Sequence, residues 1–179
     1  MLDLDSVNRY IHTWIQNTLS VEHSELNGWA PCPYAHMARW HVLGGTWDIT
    51  HDLMRTAEWW TAQYDVAILA YDSRAIRPQY LAQAVDEANY NFLAPANLIA
   101  LEDHPDSPES VNGVSFNNGL VALIMIQPYD KLERATRMLK RTDYYDRWPR
   151  EYYERVVGAR ERLASRVMNQ PRSQEDGPI

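Results

Sequence analysis

The sequence predicts an α+β (or α/β) fold. A central mixed sheet of about four strands is packed by helices into a single-domain sandwich, with a helix at each end. Three observations predict it. Short apolar runs suited to buried strands, Val66 to Ala70 and Leu120 to Ile126, alternate with amphipathic stretches of helical period. A chain of 179 residues, 45% of them hydrophobic, suits one core rather than a disordered chain. Neither a repeat nor an interdomain linker breaks it, so residues 1–168 read as one domain. Residues 169–179, polar and carrying two prolines, read as a disordered tail.

The first helix is marked by Val7, Tyr10, Ile11, Trp14, Ile15 and Leu19, with Asp5 or Ser6 as its cap. Ser20 to Pro31 reads as a loop, followed by a short helix through Cys32. Trp40 to Leu43 is extended and ends at Gly44-Gly45. A second helix, Thr50 to Gln63, buries Leu53, Ala57 and Trp60 and leads into the Val66 strand. Pro78 starts a third helix, since its fixed φ and missing N–H suit a first helical position. Leu98 to Leu101 is a strand. The residues from there to Asn118-Gly119, rich in Pro, Ser, Asn and Gly, read as a loop. Leu120 to Ile126, the strongest strand, belongs at the centre of the sheet. Asp130 to Glu133 has the form of a capping box opening a further helix, and Trp148-Pro149 opens the last one.

Composition excludes several classes of partner. A formal charge of −7 without a broad basic stripe argues against nucleic acid. The longest apolar run is too short to span a bilayer as a helix, and the acidic N-terminus lacks a signal peptide's basic and apolar stretches. One cysteine excludes an internal disulfide framework and fits a reducing compartment, so the expectation is a cytoplasmic protein. Walker, dinucleotide, nucleophile-elbow and His-Glu-x-x-His patterns are absent from the sequence.

The chemistry-bearing segment is Trp29-Ala30-Pro31-Cys32-Pro33-Tyr34-Ala35-His36. With Pro33 opening a helix, Cys32 becomes its N-cap, facing unpaired N–H groups that favour a thiolate. His36 follows one turn on. His104 sits past a strand, among Glu102, Asp103 and Asp106, where crevices of α/β sheets open. The expected catalytic set is therefore Cys32 as nucleophile, His36 as its partner and His104 as a second base. Trp29 and Tyr34 are expected as walls, with Arg74 and Asn117 as substrate contacts. Arg77 lies at the same sheet edge as Arg74. Alternatively, Cys32, His36, His41 and His104 supply donors that suit a transition metal such as zinc. A third reading leaves Cys32 as a small buried cap.

These features resemble a bacterial domain-of-unknown-function family that opens with a Trp-containing helix and then carries Cys-Pro-Phe-Ala. The matching pieces are Trp14, Cys32-Pro33-Tyr34-Ala35, His104-Pro105, Asn117-Asn118 and the C-terminal Tyr153-Glu154-Arg155. The family carries a histidine in the apolar strand after the Asn loop, and here that strand has none. The resemblance implies a fold and a site rather than a reaction. Cys-Pro-Tyr also opens the glutaredoxin motif, but Ala35 replaces the second cysteine of dithiol members and no Thr-Val-Pro follows. Two function classes emerge: a small enzyme built around Cys32, and a non-catalytic module that holds a small ligand or partner protein with exposed Trp and Tyr.

Overall fold

The computed structural model describes residues 2–107 and 109–168, so the expected tail at 169–179 lies outside the described residues. The chain forms an α+β domain whose four-stranded mixed sheet has the order β1-β2-β6-β3. Helix α1, Leu4–Trp14, continues into a π-helical turn at Ile15–Leu19. Its cap is Asp3 rather than Asp5 or Ser6. The Asp3 carboxylate accepts from the Asp5 N–H and the Ser6 hydroxyl, the usual way a first turn's free donors are satisfied. Val7, Ile11, Trp14 and Ile15 bury the apolar stripe that the spacing predicts.

Strand β1 (Trp40–Gly44), helix α2 (Ile49–Glu58) and strand β2 (Val66–Tyr71) make a parallel crossover unit. Helix α3, Pro78–Ala88, starts at Pro78 as expected and runs into a second π-helical turn, Asn89–Leu93. Strand β3 (Leu98–Asp103) pairs antiparallel with β6 (Ala122–Pro128), and β6 pairs antiparallel with β2. The apolar run therefore does lie inside the sheet, but its strand begins at Ala122. Before it, the Asn118 side chain accepts from the Leu120 and Val121 N–H groups and donates to the Val121 carbonyl, which makes a capped turn.

The loop expected before Asn118 contains a small hairpin, β4 (Ser110–Val111) and β5 (Val114–Ser115). Its turn is Asn112-Gly113, both at positive φ, the pairing that a tight hairpin demands. Helix α4 (Tyr129–Leu139) opens at Pro128 instead of in a capping box, and the Asp130 carboxylate accepts from the Asn97 amide. Helix α5 (Arg150–Tyr153) follows Pro149 as expected and leads through a third π-helical turn to α6 (Ala159–Met168).

Both faces of the sheet are covered. Leu69, Tyr71, Ala100, Ile124 and Ile126 pack under α2 and α3. On the opposite face Ile68, Ala70, Val121 and Leu123 pack under α1. A third cluster joins Leu26, Val111 and Val114 to Trp29, Phe116, Trp148 and Tyr152. It ties the hairpin to the C-terminal segment. Long-range side-chain bonds fix α1 to the β5–β6 connection: Trp14 Nε1 donates to the Phe116 carbonyl at 2.9 Å, and the Tyr10 hydroxyl donates to that of Asn118.

A side chain caps one residue of the β3 outer edge. Asn89 is buried, and its amide donates to the Ala100 carbonyl at 2.9 Å and accepts the Ala100 N–H at 2.7 Å. It thus mimics one residue of a neighbouring strand.

Candidate functional site

Cys32 does not cap an α-helix. After Pro33 the chain makes only a three-residue 3-10 turn, Ala35–Met37, before Ala38 turns extended to feed β1. A three-residue turn has little of the dipole that a cap needs. Cys32 as a residue reaches the surface, yet its thiol is densely surrounded by protein. That burial pushes the thiol pKa up. It outweighs the Tyr34 and Ala35 N–H groups and the Arg160 charge, which pull it down. The environment thus disfavours the thiolate, opposite to the sequence expectation. The segment is crowded from two sides: its Cys32 N–H donates to the Leu19 carbonyl of the first π-helical turn at 2.9 Å, and other neighbours come from the far C-terminal part of the chain. Tyr144 donates to the Pro31 carbonyl at 2.5 Å, and Arg160 reaches the Thr136 hydroxyl at 3.4 Å.

The other expected members do not assemble around Cys32. His36 is exposed on the 3-10 turn, and His41 stacks on Tyr64 with ring centroids 4.7 Å apart. His104 is buried with both ring nitrogens used. Nδ1 accepts from the Asp106 N–H at 3.0 Å, which leaves the proton on Nε2 to donate to the Ile76 carbonyl at 2.9 Å. It is a fastener, with neither nitrogen open to act as a base or ligand. Among the described residues no three His, Cys, Asp or Glu side chains gather as metal ligands, so the Cys32, His36, His41 and His104 donor set does not form.

The remaining candidates are likewise engaged. Trp29 Nε1 donates to Asp143 at 2.8 Å and its ring meets Tyr144 edge-on. Tyr34 flanks the thiol through its backbone N–H. The Asn117 amide donates to Asp103 and to the His104 carbonyl, serving its own turn rather than a substrate. Arg74 is paired with Asp72 through two bonds of 3.0 and 2.9 Å.

A different place has the form of a binding site. At the carboxyl ends of β1 and β2 lies a crevice of about 860 Å³. Such ends of a parallel pair are where ligands usually enter α/β sheets. One wall is the Gly44-Gly45-Thr46-Trp47 loop. Tyr71 and Asp72 at the end of β2, Ile76, Arg77 and Tyr80 around the start of α3, and Leu2 and Leu4 near the N-terminus line the rest. Its surface is mostly apolar with a few polar groups.

Buried Asp52 holds the first wall in place. Its carboxylate accepts from the Thr46 N–H at 2.6 Å, the Thr46 hydroxyl at 3.0 Å and the Tyr71 hydroxyl at 3.3 Å. Burial, together with the Asp52 charge, pushes the Tyr71 phenol far up, so it stays a neutral donor. Gly45 is required because a Cβ there would overlap the Tyr71 ring. Next to Thr46 on this loop, Trp47 is 90% exposed, and Tyr80, which also lines the crevice, is 55% exposed. His104 secures the Ile76 part of the lining. Arg77, next to Tyr80, forms no ion pair among the described residues, whereas Arg74 is committed to Asp72.

Sequence reasoning placed Arg74 and Arg77 at this edge but missed Trp47, Tyr80 and the Asp52 network. The Gly-Gly-Thr-Trp run after β1 was the available signal. No protein-family model, curated protein or solved structure matches the chain. Among the described residues no helix is long and apolar enough to cross a membrane.

Proposed function

We propose that this chain is a non-catalytic binding module that holds a small ligand with a flat apolar body and one anionic group. The observation that carries this reading is Trp47, almost fully exposed on a loop that a buried carboxylate holds still. The neighbouring Thr46 is tied to Asp52, and Trp47 joins Tyr80 in lining a crevice that is mostly apolar, a surface suited to contact with something outside the chain. Trp47 and Tyr80 supply ring faces, and Arg77 supplies a guanidinium that suits a carboxylate or phosphate. Its lone cysteine and acidic balance fit work in the cytoplasm on a small molecule, with neither nucleic acid nor membrane as partner.

The thiol-enzyme reading has less support. Two N–H groups and Arg160 face the Cys32 sulfur, but burial raises its pKa and His104 is fastened to Ile76. Likeness to the Cys-Pro-Phe-Ala family remains a proposal about ancestry and adds no activity.

The test is a titration of the protein with aryl carboxylates and their uncharged amides, followed at the Trp47 indole by NMR. The carboxylate is expected to shift that signal and to bind more tightly than the amide. Arg77→Gln is expected to weaken carboxylate binding about tenfold, the equivalent of one charge-assisted bond. Trp47→Ala is expected to remove binding of both. The reading fails if neither probe moves the indole, or if Arg77→Gln leaves the preference for the carboxylate intact.

A further inference from the structure

The two edges of the sheet are treated differently. At β3 the outward amide and carbonyl of Ala100 are taken by Asn89. At β1 nothing comparable is present. The parallel register with β2, together with the Gly45 N–H bonded to the Ala70 carbonyl and the Arg39 carbonyl bonded to the Val66 N–H, turns residues 41, 43 and 45 inward. The N–H and C=O groups of Trp40, Val42 and Gly44 therefore point outward, and no hydrogen bond reaches them among the described residues. Trp40-His41-Val42-Leu43-Gly44 contains no lysine, proline or acid, the residues that natural edge strands use to discourage pairing.

We propose that β1 pairs antiparallel with β1 of a second copy of this chain about a two-fold axis at Val42. Three residues point outward at even spacing, and one register uses all of them. Val42 meets its own copy, and Trp40 meets Gly44 of the second copy, twice over. Each such pair exchanges its N–H and C=O groups. Trp40 and Gly44 lie on the same face of β1, so a large side chain stands opposite an absent one, beside Leu4, which already rests on Gly44. The partner is thus self-complementary in hydrogen bonds and in side-chain size. The proposal stands on edge geometry and does not require the ligand reading.

The experiment combines sedimentation of the full chain, from micromolar to submillimolar concentration, with amide hydrogen exchange. A dimer is expected, with exchange at Trp40, Val42 and Gly44 slowing as it forms. Gly44→Pro removes one outward N–H while leaving the bonds of residues 43 and 45 to β2, and Trp40→Lys places a charge on the edge. Each is expected to sediment as a monomer with an unchanged circular dichroism spectrum. A native chain that stays monomeric with Val42 exchanging freely overturns the proposal. So does a dimer that persists in both folded variants, or a Val42 amide that is protected only when an extended peptide of foreign sequence is added. Exchange in the native chain decides the matter even if the variants fail to fold.

Discussion

Replacing Asp52 tests whether the Trp47 loop is held or merely present. Asp52→Ala removes an acceptor from three donors: the Thr46 N–H, the Thr46 hydroxyl and the Tyr71 hydroxyl. The 2.6 Å bond from a backbone N–H to a charged oxygen is worth about 1.5–3 kcal/mol net, and the two hydroxyl bonds are each worth about 1 kcal/mol or less. Removing a buried carboxylate also relieves its desolvation, which offsets part of the loss. The expected result is a destabilisation of about 3 kcal/mol, which lowers the melting temperature of a domain this size by roughly 6–12 °C. Asp52→Asn keeps one oxygen for the Thr46 N–H and offers an amide that the Thr46 hydroxyl can accept, so its cost falls to about 1 kcal/mol. Urea unfolding gives both numbers, and NMR relaxation at the Trp47 indole gives the local consequence: an ordered ring in the native protein and a mobile one in Asp52→Ala. An alanine variant within about 0.5 kcal/mol of native stability, with the indole still ordered, refutes the argument that this network fixes the wall.

Two further outcomes follow from the charged and thiol groups. Cys32 labelling by a disulfide reagent is expected to reach half its maximal rate at a higher pH than that of a cysteine in an unstructured peptide, because burial raises the thiol pKa; a midpoint at or below the peptide's contradicts this. Asp65 is held well below the ordinary carboxylate range by Arg39 and then Lys131, so its pairing stabilises the fold above pH ~4 and is lost as pH falls toward the lowered folded value. Asp65→Asn is accordingly expected to cost about 1 kcal/mol at neutral pH and progressively less in acid, read from urea midpoints at the two extremes. A cost that stays constant or grows in acid excludes that assignment.

Local pattern exposed much of the scaffold. The apolar runs at 66–70 and 120–126 marked two strands of the sheet, the second beginning at Ala122 after a capped turn, and Pro78 marks a helix start because its ring dictates φ. What escaped was whatever depends on distant neighbours. Asn112-Gly113 is a hairpin signal by itself, but it was absorbed into a stretch of loop-forming residues. The Cys32 reading assumed that a helix follows Pro33, whereas the chain needs those residues to turn into β1. His104 looked like a base because its sequence neighbours are acidic. In three dimensions its partners are two backbone groups, one from a loop 28 positions earlier. Nothing local says that Trp47 is out in water or that Asn89 faces a strand, because exposure and cross-chain pairing are properties of the assembled fold.

The amide of Asn89 also limits how far a sheet like this one can grow. A domain with two bare rims can add neighbours without end and make fibres. Here the Asn89 amide occupies the outward groups of Ala100 in the middle of β3, so a strand added on that rim would have to displace it. One short polar side chain, set in a helix by a single widened turn, thus guards a point where that rim could otherwise grow.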